Sequence, residues 1–194
     1  MARIEVKLKS ATHPEWVNVI LENFDAFMQD HANCERKASA LALSMVMKYP
    51  DRKAMIPHLI RLAQEELEHF AEVYELMEAR ELPMGKEEKD PYVNQLLKHC
   101  RSHSEERFLD RMLISSIIEA RGAERFGIIA DALTDPDLKR FYKELWAAEM
   151  KHGHLFATLA THYFSESEIY ARLDPLLEAE AAIIAELPWR ASLH

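Results

Sequence analysis

Six residues carry the chemistry that can be read in this chain. Glu35, Glu66 and His69 fall in its first half and Glu119, Glu149 and His152 in its second. The order is the same in both: a lone glutamate, then Glu-x-x-His. The lone glutamate precedes its pair by 31 residues in the first half and by 30 in the second. On a helix, residues three apart share a face, so each Glu-x-x-His can direct a carboxylate and an imidazole at one point. Four carboxylates and two imidazoles on four helices form the donor set of two carboxylate-bridged metals. Oxygen-rich, nitrogen-poor ligation suits iron or manganese better than copper or zinc. Oxygen chemistry, the commonest use of such a scaffold, makes two irons with O2 as co-substrate the expectation.

The Glu-x-x-His pairs alone carry little weight, because a chain with 24 glutamates and 10 histidines produces such pairs by chance. Placement separates these six. Each falls where an apolar helical stripe calls for a core residue, with Leu, Val, Phe, Met or Ala one turn away. A buried, unpaired carboxylate costs several kcal/mol even after relaxation, so four of them need compensation. Two divalent metals offer four positive charges against the four negative ones. Bundle geometry gives Glu66 and Glu149 the bridging positions, Glu35 and His69 to one metal, and Glu119 and His152 to the other. No catalytic side chain beyond these ligands is expected. His31, one turn before Glu35, reads either as a partner of that ligand or as a satisfied core histidine. His154, two places from His152, is expected at the surface, and Cys34 is expected to pack. Ser115 and Gly122 put small side chains around Glu119, which leaves room for a substrate or for close helix packing.

The elements that must position these residues are helical. Thr12 and Pro14 open a short helix (Trp16, Val17, Ile20, Leu21), followed by a long one ending near Tyr49-Pro50. Asp51 is expected to cap the next helix, with Pro57 near its start. The segment from Leu82 to His103, with Pro83, Gly85, the run Lys86 to Asp90 and Pro91, reads as a long connection holding a short helix from Tyr92 to Cys100. A further helix starts near Ser104, and Thr134-Asp135-Pro136 turns the chain into another. Ser165 and Glu168 form a capping box for a last helix, which Pro175 is expected to interrupt. Helix pair, long crossover, helix pair is the ferritin-like order. The expected fold is all-α, a ferritin-like four-helix bundle with a long crossover between its second and third helices and extra N- and C-terminal helices. One domain is expected over residues 1–194, with the core bundle at about 24–164.

Composition agrees with that reading. Only four glycines occur among 194 residues, and Ala, Leu, Glu, Met and Lys abound. No apolar run reaches the ~18 residues of a membrane span. Met1-Ala2-Arg3-Ile4-Glu5 lacks an apolar signal region, and two cysteines, Cys34 and Cys100, suit free thiols in a reducing cytoplasm. A cytoplasmic protein is therefore expected. The net charge of −9 argues by itself against nucleic acid. Locally the balance reverses, since Arg36, Lys37, Lys48, Arg52, Lys53 and Arg61 face a single acid, Asp51.

Beyond the six ligands, the segments Asp30-His31-Ala32-Asn33-Cys34-Glu35-Arg36-Lys37-Ala38, Glu65-Glu66-Leu67-Glu68-His69-Phe70, Glu119-Ala120-Arg121 and Glu149-Met150-Lys151-His152 carry a resemblance. Over nearly its whole length the chain resembles the bacterial tRNA hydroxylases of the MiaE type. These are ferritin-like nonhaem di-iron monooxygenases acting on 2-methylthio-isopentenyl-adenosine next to the anticodon. The resemblance implies hydroxylation of the isopentenyl group with O2 and two electrons from an external reductase, by a monomer or dimer that binds tRNA and no membrane. The modified base must then leave the anticodon stack. Lys48, Arg52 and Lys53 surround the first hairpin turn. If the crossover runs the length of the bundle, Arg101, Arg107 and Arg111 reach the same end, and these six are candidate phosphate contacts.

Other readings of the six ligands stay open. A ferritin- or rubrerythrin-like protein that oxidises iron or reduces peroxide would use the same donors, although the Cys-x-x-Cys of a rubredoxin module is missing from this sequence. A manganese catalase is a further alternative. A non-enzymatic helical interaction module predicts no bound metal.

Overall fold

The computed structural model describes residues 3–86 and 88–194. The expectations that fall on Met1, on Ala2 and on Glu87 within the connection lie outside the described residues. Among those described, the secondary structure is helical throughout: α1 (Trp16–Glu22), α2 (Phe24–Lys48), α3 (Ile56–Glu78), α4 (Pro91–Leu97), α5 (Ser104–Ala132), α6 (Pro136–Ala160) and α7 (Glu166–Glu186). None of these helices is long and apolar enough to cross a membrane.

Helix starts follow local chemistry. Asp90 accepts from the Tyr92 and Val93 N–H groups ahead of Pro91, and Asp135 accepts from Asp137 and Leu138 ahead of Pro136. Ser165 and Glu168 form the reciprocal capping box of α7. Two expectations need correction. Asp51 does not cap α3: the cap position is Met55, without a side-chain hydrogen bond, because residues 51–55 close a turn of their own through Lys53 N–H to Asp51 O and Met55 N–H to Arg52 O. Pro175 does not interrupt α7, which runs through it. The lost backbone bond is outweighed by the buried face of Leu173, Leu176, Leu177 and Ile183, which keeps both halves helical.

The chain divides into two compact units. The smaller comprises residues 18–88 and 190–193 and is built on the α2–α3 hairpin. Phe27, Met28, Ala32, Ala42 and Met45 on α2 are buried, as are Leu59, Leu62, Val73 and Met77 on α3. Ser39 Oγ donates to the Ala63 carbonyl at 2.7 Å and fixes the register of the two helices. After α3 the chain returns along α2, held where Gln29 Nε2 donates to Pro83 O at 2.8 Å and Lys37 Nζ to Glu88 O at 3.2 Å.

The larger unit comprises the chain up to Val17, Lys89–Trp189 and His194. Its centre is the α5–α6 hairpin, with α4 and α7 packed beside it. A Cβ added to Gly153 would lie 3.1 Å from Ala120 Cα, so glycine is what lets α6 approach α5 this closely. A buried ion network holds the N-terminal segment, α4 and α7 to α5. Arg121, fully buried, donates from Nε and Nη2 to the two carboxylate oxygens of Glu180 at 2.8 and 3.0 Å. Its Nη1 donates to Glu124 and Thr12, and its Nη2 also donates to Ser10 O. Tyr92 OH donates to Glu180 at 3.2 Å. Burial works against the Arg121 charge, but its bonds to Glu180 hold its pKa above the arginine range. Burial pulls its neighbour Arg125 down to about 10, with the guanidinium 4.6 Å over the Trp16 ring.

Removing one partner of a buried ion pair leaves the other charge stranded, at a cost of about 3–5 kcal/mol. Glu180→Leu is expected to lower the urea midpoint of unfolding sharply. The double variant Arg121→Met/Glu180→Leu is expected to regain most of that loss.

Candidate metal centre

In the α2–α3 hairpin, Glu35 sits at the middle of α2 and Glu66 and His69 at the middle of α3. The Ser39–Ala63 hydrogen bond lies about one turn from both and sets them opposite each other. One ligand atom from each of Glu35, Glu66 and His69 lies within 4.8 Å of the other two. His69 Nδ1 is 3.7 Å from Glu35 Oε2 and 3.7 Å from Glu66 Oε2. That is too long for a hydrogen bond. It is close to the spacing of neighbouring donors on one metal, about 3–3.6 Å for bonds of about 2.0–2.2 Å. Glu35 and Glu66 are 4% and 1% exposed, and His69 is half-buried. His31, fully buried, places Nε2 2.7 Å from Glu35 Oε1.

The α5–α6 hairpin repeats the arrangement. Glu119 comes from α5 and Glu149 and His152 from α6, again with one ligand atom from each within 4.8 Å of the others. His152 Nδ1 lies 3.1 Å from Glu149 Oε2. Glu149 and His152 are buried and Glu119 is half-buried. The contact of Gly153 with Ala120 is the next residue after His152 and after Glu119, so the helices touch at the level of the ligands.

Each triad gathers two carboxylates and one imidazole, mostly shielded from water. Two like charges at this spacing repel strongly away from solvent, and a divalent cation removes both the repulsion and the desolvation cost. The donors fit a hard or borderline metal such as iron or manganese. Three protein ligands leave coordination positions open for small molecules.

A cavity of about 320 Å³ in the larger unit is bounded by Val6, Leu8, Ala120, Met150, Gly153 and His154, and none of Glu119, Glu149 and His152 lines it. Neither Ser115 nor Gly122 lines it; both are buried in α5. The expectation that His154 lies at the surface is corrected. Val6 N–H donates to His154 Nδ1 at 3.1 Å, because the N-terminal segment covers that face of α6, and burial lowers the imidazole pKa. Cys34 is half-buried with Sγ 3.7 Å from Asp30 Oδ2.

The six basic candidates divide between the units. Lys48 and Lys53 are exposed and Arg52 half-buried at the turn between α2 and α3, with Lys48 Nζ 5.7 Å from the centroid of the Tyr49 ring and Arg52 Nε 3.7 Å from Asp51. In the other unit Arg107 is exposed and Arg111 half-buried. Arg101 is engaged within the fold. Its Nε and Nη2 donate to the buried Asp110 at 3.0 and 2.8 Å, and its Nη1 donates to Glu106 at 3.0 Å. Burial raises the Asp110 pKa, but bonds from Arg101 and Arg172 outweigh it and hold the carboxyl below its usual value. Sequence reasoning missed Arg172, which donates to Asp110 at 2.7 Å from 62 residues away. It also missed the Arg121–Glu180 pair, separated by 59 residues. No local signal could have found either.

Residues 1–194 match the family model described as tRNA-(MS[2]IO[6]A)-hydroxylase (MiaE). A Pseudomonas putida protein named tRNA 2-(methylsulfanyl)-N(6)-isopentenyladenosine(37) hydroxylase is 33% identical over 181 residues, covering 93% of this chain and 88% of the relative. A Salmonella typhimurium protein of the same name is 29% identical over 210 residues, covering 84% of this chain and 77% of the relative. A solved structure from Synechococcus, described as a protein with aldehyde deformylating oxygenase activity, is similar with 31% identity and a TM-score of 0.92. It covers 98% of this chain and 96% of the solved one. The all-α class with ferritin-like helices is thereby established.

If the triads hold metal, iron(II) binds the folded state and raises its melting temperature. At a free concentration of 100 times the dissociation constant this stabilises by about 2.7 kcal/mol. Glu66→Ala and Glu149→Ala are each expected to abolish the iron-dependent rise in anaerobic thermal melts while remaining folded without metal. A full rise in both variants would place the metal elsewhere.

Proposed function

Because the chain belongs to the MiaE family of tRNA hydroxylases, we propose that it hydroxylates the isopentenyl group of 2-methylthio-isopentenyl-adenosine beside the tRNA anticodon. The observation that carries this is a pair of shielded Glu/Glu/His triads in a chain that matches the family along its whole length. The chain is an oxygenase-type hydroxylase, and its carboxylate–imidazole clusters suit a metal centre. The proposed centre has two irons. Glu35, Glu66 and His69 would hold one, and Glu119, Glu149 and His152 would hold the other. When bound, the irons supply the activation of O2, with two electrons delivered by a separate reductase.

The chain's own residues have three further tasks. The first is to exclude water. Leu62 and Val73 lie about one turn from Glu66 and His69, and Leu145 and Phe156 about one turn from Glu149 and His152. All four are buried. The second is to leave an open coordination position beside the three protein donors of each triad, where an oxidant and a prenyl methyl group can meet. The third is to hold the RNA while the modified base leaves its stack. Lys48, Arg52 and Lys53, with Arg107 and Arg111, are the proposed phosphate contacts. Arg101 shares its charge with Asp110 and Glu106 and contributes less. A tRNA substrate places the reaction in the cytoplasm, and a monomer or dimer leaves the anticodon end accessible.

The test is incubation of reduced, iron-loaded protein with prenylated, methylthiolated tRNA and oxygen, then mass analysis of the nucleosides. A gain of one oxygen on the modified adenosine is the expected result. Iron oxidation or peroxide loss without nucleoside change would return the chain to the ferritin- or rubrerythrin-like alternatives. The triple variant Lys48→Glu/Arg52→Glu/Lys53→Glu is expected to weaken tRNA binding and flatten its salt dependence, since each lost phosphate contact lowers the slope by about 1. Unchanged binding in a filter assay would remove that turn from the RNA surface.

A further inference from the structure

We propose that the exposed side of α3 is where two copies of this chain meet, their α3 helices packed antiparallel about a two-fold axis at Leu67. The inference rests on neither the metal nor the tRNA reading. Ile60, Leu67 and Tyr74 follow one another at intervals of seven residues along α3, so they stand in one row. All three are solvent-exposed, at 44%, 55% and 37%. Gln64 and Ala71, also exposed, fill the row between them. The core side of the same helix, with Leu59, Leu62, Val73 and Met77, is buried separately. A helix that served only its own hairpin would need one apolar side, and α3 has two. Exposed apolar residues scattered singly are ordinary, but a continuous row of about 21 Å is the mark of a contact surface.

The charges beside this row identify its occupant. Arg61, Glu68 and Glu75 form a parallel row one residue over, with Glu72 on the same flank, and all four are exposed. Among the described residues, no ion pair or side-chain hydrogen bond engages Arg61, Glu72 or Glu75. Glu75 and Glu78 stand in the last turn of α3, where no basic residue offsets them and the helix dipole disfavours them. A two-fold axis at Leu67 sets each residue opposite the one equally far on the other side of position 67. Leu67 then meets the partner's Leu67, and Ile60 meets the partner's Tyr74. Arg61 comes level with the partner's Glu72 and the partner's Glu75, and each such contact occurs twice. Parallel pairing would instead set Arg61 beside its own copy and acid beside acid, so the order of charges selects the antiparallel arrangement. Only Glu68 lies near its own copy, at an exposed site where water and salt screen the pair. The same acids repel a phosphate-bearing surface, which sets this face apart from an RNA or lipid contact.

The experiment is sedimentation velocity of the purified full chain over a hundredfold range of concentration. A single pair of helices is a small interface, so wild type is expected to pass from monomer to dimer at micromolar concentration. L67E, which sets two new carboxylates face to face, is expected to stay monomeric with the wild-type helical circular dichroism. R61E and E72R/E75R are each expected to weaken the dimer at least about tenfold. R61E/E72R/E75R, which exchanges the charges, is expected to restore it. If L67E loses its helical signal, the charge exchange decides the matter alone, because it alters only exposed side chains. The proposal is overturned if wild type is monomeric at every concentration, if a folded L67E still dimerises, or if the full exchange is as weak as its parts. An assembly larger than two would also overturn it, since a two-fold contact closes at the dimer.

Discussion

Negative charge held away from water is the constraint to which the rest of this molecule answers. Elsewhere the chain neutralises a buried carboxylate with guanidinium groups, two on Asp110 and a bidentate one on Glu180. In the triads, within each hairpin, the carboxylates meet imidazoles instead: His31 and His69 beside Glu35, His69 beside Glu66, His152 beside Glu149. An arginine cancels charge permanently, whereas a neutral imidazole adds a donor and leaves the balance to a cation. That contrast is what the proposed metal centre requires, and it agrees with the family to which the chain belongs.

Both hairpins solve the same positioning problem by different means. In the first, the Ser39 hydroxyl on the Ala63 carbonyl sets the register between Glu35 and the Glu66/His69 pair. In the second, the absent side chain of Gly153 lets α6 close on Ala120, next to Glu119 and His152. Arg121, two residues after Glu119, then anchors α5 to α4, α7 and the N-terminal segment through Glu180, Tyr92, Thr12 and Ser10. A side chain on a helix so tied has little freedom to move, and the proposed role of Glu119 needs that, since small positional errors are costly in a catalytic site.

Much of this was legible in the sequence because helices impose a short period. The i and i+3 spacing of each Glu-x-x-His, the apolar residues a turn away, the Asp135-Pro136 start and the Ser165/Glu168 box are all local signals, and the helices lie where they point. What was not legible depends on distant parts of the chain. His154 would face solvent on an isolated α6, but the segment carrying Val6 covers it. Pro175 is tolerated because buried leucines on both sides hold α7 together. Asp51 is preceded by a helix end and followed by another helix, yet the turn closes on backbone groups and leaves Met55 at the cap. The roles of Arg121 and Arg172 depend on partners about 60 residues away along the chain, for which no spacing rule exists. The cations at the two helix starts were visible as charge, but the engagement of Arg101 by Asp110 was not.

The central claim is that the two triads together hold two irons. Anomalous diffraction at the iron edge, from crystals of anaerobically iron-loaded protein, tests it most directly. The account predicts two peaks per chain, one against Glu35, Glu66 and His69 and one against Glu119, Glu149 and His152. A single peak, or peaks only at surface carboxylates, would contradict it.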